Sequence, residues 1–497
     1  MIEGLLSINT LLMIPFGLLI GIFFGVLPGF AGGTGMALCL PIAIFMSPLN
    51  SMIFLINIYC GAIYGGGVPA ILLGIPGTAG AAATVTDGFE MTKRGQYSEA
   101  LAIQAVSSGF GSIVSIVAFL FLSPFLARAA LKFGPPEFFM LVLFGLSIIA
   151  SIDQRNIFKG LFAGALGIAL GTIGVDPIVG RVRMSMGLLY LYDGIPYIPF
   201  LLGLFCLARM MELSNEVGIV KAVIDIKPTF KKIFEGMKLT FKYKAELIKG
   251  SLIGTFIGAL PGAGAAVACF VSYLQAKNAS KYPEKFGTGI PEGIIAPETA
   301  NNATLGGALI PTFVFGIPGS GATAVLLGVM MFVGLRPGPK VFFEQLTLIR
   351  TIGVGLLIGS LFIGVFGAFI ARYISRIVKL PLNIIIPIAM VTSSVGALVG
   401  RQTVFDIGIM CATGAIGYIM TKYKYPLTAT VLGLLLGKMA EDNFLQSLIM
   451  SRGSYLIFFT RPITIVLWII ILVSLFGPQI IKLYKSYKKT GENTSTQ

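Results

Sequence analysis

The chain is 497 residues long, 56% hydrophobic and only 11% charged, with a mean hydropathy of +0.90. Soluble domains carry about 25% charged residues, so this composition predicts an all-α polytopic membrane protein. The net charge of +15 is scattered among apolar segments, which argues against nucleic-acid binding. The chain has no histidine, which excludes Ser-His and Cys-His catalysis, HExxH metal sites and histidine proton relays. We therefore expect neither an enzyme nor a metal cofactor.

Apolar segments follow one another along almost the whole chain. The first, residues 8–27, has no basic residue before it, so we interpret it as a retained transmembrane helix rather than a cleaved signal peptide. Several later segments are shorter than the ~20 residues that a spanning helix needs, which predicts discontinuous or re-entrant helices. We expect about 12 or more transmembrane segments in total. The apolar segments are 8–27, 30–47, 51–85, 100–131, 137–152, 157–175, 195–212, 248–262, 264–276, 299–334, 345–375, 383–400, 405–421, 426–440 and 455–478.

Two Pro-Gly breaks interrupt these segments, one in each half of the chain. The first is Gly74-Ile-Pro-Gly-Thr78 and the second is Gly316-Ile-Pro-Gly-Ser320, with Pro311 predicted as a further interruption of the second segment. A broken helix frees backbone N–H and C=O groups that lipid cannot satisfy, so such breaks must face protein or a watery cavity. Paired breaks in two halves of a membrane protein indicate the substrate site of a transporter.

The two halves also repeat in sequence. Gly21-x-x-x-Gly-x-Leu-Pro-Gly29 returns as Gly254-x-x-x-Gly-x-Leu-Pro-Gly262, and the seven-residue spacing of Pro196 and Gly203 returns at Pro426 and Gly433. Three matches in the same order predict two structural repeats. The predicted boundaries are 1–212 for the first repeat, 213–249 for a basic connector, 250–441 for the second repeat, 442–480 for a final transmembrane helix and 481–497 for a tail.

The positions of the basic residues predict an orientation in the membrane. With the N-terminus outside and the segments alternating, 24 of the 36 Lys and Arg residues fall inside and ten fall outside, as the positive-inside rule requires. The first repeat then enters from outside and the second from inside, so we expect inverted-topology repeats that meet at the bilayer midplane. The connector and the tail are predicted to be cytoplasmic. The connector is either an amphipathic segment on anionic headgroups or a plain solvated linker.

Small and polar residues at the breaks are candidates for a substrate or ion site. Helix N-termini offer free N–H groups and about half a positive charge, glycine lets a ligand approach the backbone, and unwound carbonyls can hold Na⁺. Asn301 and Asn302 add amide donors and acceptors about 100° apart on a helix. The alternatives are close helix packing at the glycines and an interhelical hydrogen bond at the asparagines. The candidates are Pro28, Gly29, Gly77, Thr78, Pro261, Gly262, Asn301, Asn302, Thr304, Pro318, Gly319 and Ser320.

Two acidic residues and the cysteines receive a structural interpretation. Glu298 directly follows Pro297, so we place it in the first turn of a helix, where a carboxylate stabilises the helix dipole. Asp87 lies beside Gly88 at the end of the first break and is interpreted as a loop cap. The five cysteines lie singly in apolar segments, which is typical of small buried hydrophobic residues rather than metal ligands.

The break regions resemble those of a known family. They read Tyr64-Gly-Gly-Gly-Val-Pro-Ala-Ile-Leu-Leu-Gly-Ile-Pro-Gly77, continued by Thr86-Asp-Gly-Phe89, and Ala296-Pro-Glu-Thr-Ala-Asn-Asn-Ala303, continued by the second break. On these motifs the chain resembles, over essentially its whole length, the large membrane subunit of the tripartite tricarboxylate transporters (TctA type). Thr299 stands where that family more often has alanine.

The resemblance implies a secondary active importer of a citrate-like di- or tricarboxylate in the cytoplasmic (inner) membrane, driven by Na⁺ or H⁺. It also implies two partners, a small four-helix-type membrane subunit and an extracytoplasmic solute-binding protein that delivers the substrate. The residues by themselves leave a passive channel or scaffold subunit without coupled transport as the alternative. An intramembrane aspartyl protease is disfavoured, because Asp193 has no Gly-x-Gly-Asp partner in the sequence.

Overall fold

The computed structural model describes residues 7–27, 30, 32–152, 157–176, 180–214, 229–261, 264–374 and 382–472. These residues are helical almost throughout. Besides helices, turns and loops, they include one pair of two-residue antiparallel strands, β1 (Gly174–Val175) and β2 (Val182–Arg183).

The first half of the chain contains nine α-helices among the described residues. A π-helical stretch, Leu202–Leu207, joins the last two of them. The helices are α1 (Ile8–Val26), α2 (Gly32–Ala43), α3 (Pro48–Leu73), α4 (Val85–Lys93), α5 (Tyr97–Ala130), α6 (Pro135–Ile152), α7 (Ile157–Gly171), α8 (Tyr197–Leu201) and α9 (Ala208–Leu213).

The second half continues with helices of very unequal length. The helices are α10 (Phe230–Thr240), α11 (Lys244–Ala259), α12 (Gly264–Ala279), α13 (Glu292–Phe315), α14 (Gly321–Phe332), α15 (Val341–Glu344), α16 (Leu346–Ile374), α17 (Leu382–Arg401), α18 (Val404–Lys422), α19 (Leu427–Met450), α20 (Ile457–Thr460) and α21 (Pro462–Leu472).

Five of the described helices are long and apolar enough to cross a membrane: α1, α3, α5, α16 and α18. Shorter apolar helices, among them α2 and α14 with 12 residues each, accompany them. The protein is therefore an all-α polytopic membrane protein, as its composition predicts. The count of about 12 or more transmembrane segments stays a prediction.

The chain forms two compact units. The first comprises Met1–Ala130 and Pro196–Ile419, and the second comprises Leu131–Ile195 and Met420–Gln497. Each unit draws on both halves of the chain. The predicted repeats are instead continuous segments of the sequence, and their boundaries stay a prediction.

In the first unit, α1 packs on α3 through glycines. A Cβ on Gly21 would lie 2.2 Å from the carbonyl oxygen of Ile58, and a Cβ on Gly25 would lie 2.3 Å from that of Ala62. Such distances are far below a van der Waals contact, so only glycine permits this approach. Small residues at such contacts are typical of helix packing in membranes.

The same contact recurs between α11 and α13. A Cβ on Gly254 would lie 2.3 Å from the carbonyl oxygen of Ala300, and a Cβ on Gly258 would lie 2.6 Å from that of Thr304. The glycines that repeat in the sequence therefore make equivalent helix contacts in the fold.

The long helices of each half pack on helices of the other half. Helix α5 packs on α13, α16 packs on α3, and α5 and α16 pack on each other. Close contacts again use glycine, since a Cβ on Gly111 of α5 would lie 2.1 Å from the carbonyl oxygen of Thr299. Each broken helix is thus supported by the long helix of the other half.

The repeated Pro-to-Gly spacing also ends in equivalent packing within each unit. In the first unit, Gly203 lies against Met410 of α18, whose carbonyl oxygen would be 2.4 Å from an added Cβ. In the second unit, Gly433 of α19 lies against Gly164 of α7, whose carbonyl oxygen would be 2.2 Å from an added Cβ. The second unit also holds ion pairs of its own, Arg183 with Glu441 and Arg461 with Glu137.

Three interpretations of the sequence are corrected by the fold. Helix α13 continues through Pro297 and Pro311 to Phe315, so Pro311 does not interrupt it. Glu298 lies in the second turn, not the first, because α13 begins at Glu292. Four of the cysteines are buried as expected, but Cys411 is exposed.

The described part of the connector is helical. Helix α10 packs on α5, and the Nζ of Lys232 lies 3.4 Å from a carboxylate oxygen of Glu99. Phe230 and Phe234 of α10 are exposed and contact the ring of Phe369. Residues 230–240 are therefore a packed amphipathic helix rather than a solvated linker, and their cytoplasmic location stays a prediction.

Candidate substrate and ion site

The first Pro-Gly break begins where α3 ends. Gly74 adopts a left-handed conformation (φ 70°), and its N–H donates back to the carbonyl oxygen of Pro69. Two residues beyond Ile75, the N–H of Gly77 donates to the carbonyl oxygen of Gly66 at 3.0 Å. A Cβ on Gly77 would lie 2.2 Å from the carbonyl oxygen of Gly25. Glycine is therefore required here both to reverse the chain and to let it return against α1.

The second break repeats this geometry at the end of α13. Gly316 is left-handed (φ 70°), and its N–H donates to the carbonyl oxygen of Pro311. The N–H of Gly319 lies 3.4 Å from Thr312 Oγ1, and a Cβ on Gly319 would lie 2.9 Å from the carbonyl oxygen of Gly258. The predicted equivalence of the two breaks therefore extends to their backbone conformation.

A helix N-terminus follows the second break. Ser320 caps α14, because its Oγ accepts from the Thr323 N–H at 3.3 Å and its own N–H donates to Thr323 Oγ1 at 2.9 Å. The hydroxyl of Tyr59 on α3 lies 3.1 Å from Ser320 Oγ. The start of α2 adjoins the same place, since a Cβ on Gly33 would lie 3.3 Å from the backbone nitrogen of Ala322. Two helix N-termini thus meet there, which favours negative charge.

The first break has the equivalent arrangement with a different side chain. Asn301 lies fifteen residues before Gly316, as Tyr59 lies fifteen before Gly74. The amide oxygen of Asn301 would be 2.2 Å from a Cβ on Gly80, which is part of the 3-10 turn that follows the break. The helix that precedes each break therefore places one polar side chain against the break region of the other half.

The two neighbouring asparagines have different surroundings. Asn301 is 1% exposed, and within the described residues neither its Oδ1 nor its Nδ2 has a hydrogen-bond partner. Asn302 is fully buried; its Nδ2 donates to Ser112 Oγ at 3.1 Å, and its Oδ1 lacks a partner in the same part of the chain. An unpaired buried amide costs about 1–3 kcal/mol, so the Asn301 position is suited to a ligand. Asn302 makes the interhelical bond that was the alternative interpretation.

The other candidate residues that the structure describes lie at or near these two places. Thr78 is half-buried with its side chain against Gly66, and Pro318 is buried within the second break. The Thr304 hydroxyl donates to the Asn301 carbonyl oxygen at 2.6 Å within its own helix. Pro261 is buried just after α11. Pro28, Gly29 and Gly262 lie outside the described residues, so their site roles stay predictions.

A buried carboxylate near the breaks was not anticipated as a functional group. Glu298 is fully buried; its Oε1 accepts from Thr84 Oγ1 at 2.6 Å and its Oε2 from Ser108 Oγ at 3.2 Å. The amide of Gln104 is adjacent, since a Cβ on Gly67 would lie 2.3 Å from Gln104 Nε2 and 2.8 Å from Glu298 Oε1. The position of Glu298 three residues before Asn301 was the available signal in the sequence.

Asp87 is a loop cap, but it caps a loop of the other half. Its Oδ1 accepts from the backbone N–H groups of Gly287, Gly289 and Ile290 at 2.8–3.1 Å. Its Oδ2 accepts from the hydroxyl of Tyr273 at 2.9 Å. The carboxylate thereby holds the segment that leads into α13.

The first unit also contains a cavity of about 280 Å³ that none of the candidate residues lines. It is lined mainly by apolar groups of α8 and α14, together with Arg401 and Asp406. The guanidinium of Arg401 is paired with the carboxylate of Asp406 at 2.5 Å. Since its arginine already has a carboxylate partner and none of the candidate residues lines it, this cavity is not a substitute for the breaks.

Comparison with known proteins agrees with the motifs. The tripartite tricarboxylate transporter TctA family model matches residues 11–432. An uncharacterized 52.8 kDa protein in the TAR-I ttuC' 3'region of Agrobacterium vitis is 33% identical over 455 residues, which is 90% of this chain and 88% of that protein. An uncharacterized protein in the TAR-II ttuC' 3'region of the same organism is 31% identical over 210 residues, covering 42% of this chain and 87% of that protein. No solved structure matches the chain significantly. The chain belongs to the tripartite tricarboxylate transporter TctA family.

Proposed function

We propose that this chain is the translocating subunit of a secondary active importer for a citrate-like di- or tricarboxylate. Membership of a tripartite family implies partner subunits. We propose that these are a small four-helix-type membrane subunit and an extracytoplasmic solute-binding protein that delivers the substrate. Import proceeds across the cytoplasmic (inner) membrane and is driven by a gradient of Na⁺ or H⁺.

The observation that carries this proposal is the pairing of each break with the opposite half. The Tyr59 hydroxyl lies at Ser320, and the Asn301 amide lies at Gly80. A break that is held by the other half opens or closes when the halves move relative to each other. That is the requirement for alternating access in transporters built from repeats.

The chemistry of the second break suits a carboxylate. The N-termini of α2 and α14 provide positive potential, and Tyr59 and Ser320 add hydroxyl donors. Hydrogen bonds to an ionised carboxylate contribute about 1.5–3 kcal/mol each, which is enough for selective binding without an arginine. The unpaired Asn301 amide contributes one more donor and acceptor.

The proposed mechanism uses inverted repeats with the N-terminus outside and the connector and tail in the cytoplasm. The charge distribution supports the orientation, and the equivalent contacts of α1 with α3 and of α11 with α13 support the repeats. Inverted repeats bring their breaks together near the bilayer midplane, where a substrate is accessible from one side at a time.

Transport assays in proteoliposomes test the proposal. The chain is reconstituted with its small membrane subunit, the solute-binding protein is supplied outside, and radiolabelled citrate, succinate and malate are offered. We expect accumulation of at least one of these acids under a Na⁺ or H⁺ gradient, with no effect of ATP. Equal accumulation with every gradient collapsed and ATP supplied would contradict secondary transport. Equilibration without accumulation under either gradient would favour the passive channel.

A further inference from the structure

The buried carboxylate of Glu298 has no part in the substrate site described above. We propose that Glu298, with the hydroxyls of Thr84 and Ser108, binds the proton that drives transport. This inference rests on the proposed importer function and names its coupling ion. The carboxylate lies on α13, whereas Thr84 precedes α4 and Ser108 belongs to α5.

Among the described residues, no cation balances this carboxylate. Its contacts within the described residues are the two hydroxyls and the neighbouring amide of Gln104, and none of them carries charge. A buried carboxylate without a cationic partner is strongly disfavoured in its charged form and becomes neutral by taking up a proton. Glu298 therefore has a physical reason to bind and release a proton as its surroundings change.

The groups around Glu298 can serve both protonation states. A serine or threonine hydroxyl is one donor and two acceptors. Thr84 and Ser108 donate to the ionised carboxylate, and either can accept from the protonated acid without a change of backbone. Calcium and magnesium are held instead by six or more oxygen atoms, and the described side chains that contact this carboxylate are two hydroxyls and one amide. Such a set favours a proton.

Other titratable groups face this site, but none of them takes the place of Glu298 as the proton-binding group. Tyr64 on α3 and Cys269 on α12 are both buried nearby. Asp87 on α4 lies against Gly293, one to two turns before Glu298 on α13, and is bound by Tyr273 and three backbone N–H groups. Among the described elements that pack on this part of α13, no lysine or arginine pairs with Glu298. The chain has no histidine, so a carboxyl group is the natural proton carrier.

The proton site adjoins the substrate site along one helix. Glu298 and Asn301 are three residues apart on α13, about 4.5 Å along the helix axis. Residues at this spacing share a helix face. A charged Glu298 would repel a carboxylate bound at Asn301, whereas a protonated one would not. Proton and anionic substrate therefore favour each other's binding, which is the coupling that a symporter requires.

The first test compares Glu298→Gln with Glu292→Gln in the reconstituted complex. Glu292 begins the same helix and is partly exposed, so it is the matched control. Citrate, succinate and malate serve as probes, with a pH-sensitive dye inside the vesicles. We expect Glu298→Gln to lose at least tenfold of the accumulation driven by a pH gradient and to lose the acid influx that accompanies uptake. Exchange of labelled for unlabelled acid should persist, because the glutamine resembles the protonated state. Glu292→Gln should behave as the unmodified protein.

The second test does not depend on transport. Infrared difference spectra of the purified full-length protein at several pH values should contain a buried carboxyl C=O band that Glu298→Gln lacks and Glu292→Gln retains. If Glu298→Gln does not fold, Thr84→Val and Ser108→Ala give the same information. Each removes a donor to the ionised form, so the carboxyl band should persist to higher pH.

The outcomes separate this inference from the importer proposal. Unchanged pH-driven accumulation in a folded Glu298→Gln protein would overturn the proton site and leave the importer intact. A titrating band that survives in Glu298→Gln, or that neither hydroxyl substitution shifts, would also overturn it. Import driven by Na⁺ without acid influx would do the same. If the unmodified complex accumulates none of the three acids under any gradient, the importer proposal fails, while the infrared band still decides whether Glu298 binds a proton.

Discussion

The substitution Asn301→Ala separates a ligand-binding role from a structural one. In the described residues both amide atoms of Asn301 are buried and unpaired, so the substitution breaks no side-chain hydrogen bond to that part of the chain. Removing an unpaired buried amide relieves about 1–3 kcal/mol of desolvation cost, which offsets the small cavity that alanine leaves. We therefore expect the free energy of unfolding to change by less than about 1 kcal/mol.

The effect on a bound carboxylate should be much larger. A hydrogen bond to a charged group contributes about 1.5–3 kcal/mol, so losing it weakens substrate affinity about 10- to 150-fold. The neighbouring Asn302→Ala should instead reduce stability more than it reduces substrate affinity. It breaks the bond to Ser112 and leaves that hydroxyl without its amide donor, which costs about 1–3 kcal/mol of stability.

Two measurements on each variant decide the matter. Thermal unfolding of the purified protein reports stability, and concentration-dependent uptake of the acid that the unmodified complex accumulates reports apparent affinity. Gln345→Ala is the control, because Gln345 is an exposed residue outside both breaks. Our reasoning would be refuted if Asn301→Ala were well folded with unchanged affinity and uptake rate. It would equally be refuted if Asn301→Ala lost several kcal/mol of stability, since the amide would then have a structural partner.

Three further predictions concern the second break and the topology. Gly319→Val should abolish uptake, because its Cβ would lie 2.8 Å from Ala308 Cα and 2.9 Å from the Gly258 carbonyl oxygen; normal uptake by a well-expressed variant would show that the break repacks freely. Tyr59→Phe removes one hydroxyl at Ser320 and should weaken apparent substrate affinity about 2- to 10-fold with little loss of thermal stability, and an unchanged affinity would exclude the hydroxyl from the site. In a cysteine-free background, Thr229→Cys should resist an impermeant thiol reagent in intact cells, and labelling from outside would contradict the inverted-repeat orientation.

The breaks themselves could be predicted from the sequence because proline and glycine act locally. Proline lacks an N–H, and glycine alone adopts left-handed conformations without cost, so Gly74 and Gly316 end their helices wherever the rest of the chain lies. Even this local rule had an error. Pro311 remains inside α13, and its carbonyl oxygen accepts the N–H groups of Gly316 and Ile317 at the helix end.

The partners of the polar groups could not be predicted, because they come from distant parts of the chain. Thr84 is 214 residues from Glu298, and Tyr59 is 261 residues from Ser320. Hydropathy and periodicity describe residues that are close in sequence, so they do not reveal pairs this far apart. An alignment of the two breaks does identify Tyr59 as the counterpart of Asn301, which is the one signal that was open to use.

The sequence by itself determined that this protein is helical, crosses the membrane repeatedly and carries two equivalent interrupted helices. These features follow from apolar length and from backbone chemistry, which each segment carries within itself. Only the tertiary structure decided that Asn301 faces Gly80 without a hydrogen-bond partner among the described residues, and that Glu298 is enclosed by Thr84 and Ser108. A side chain's burial and partners depend on which helices pack around it, and here those helices belong to the opposite half of the chain.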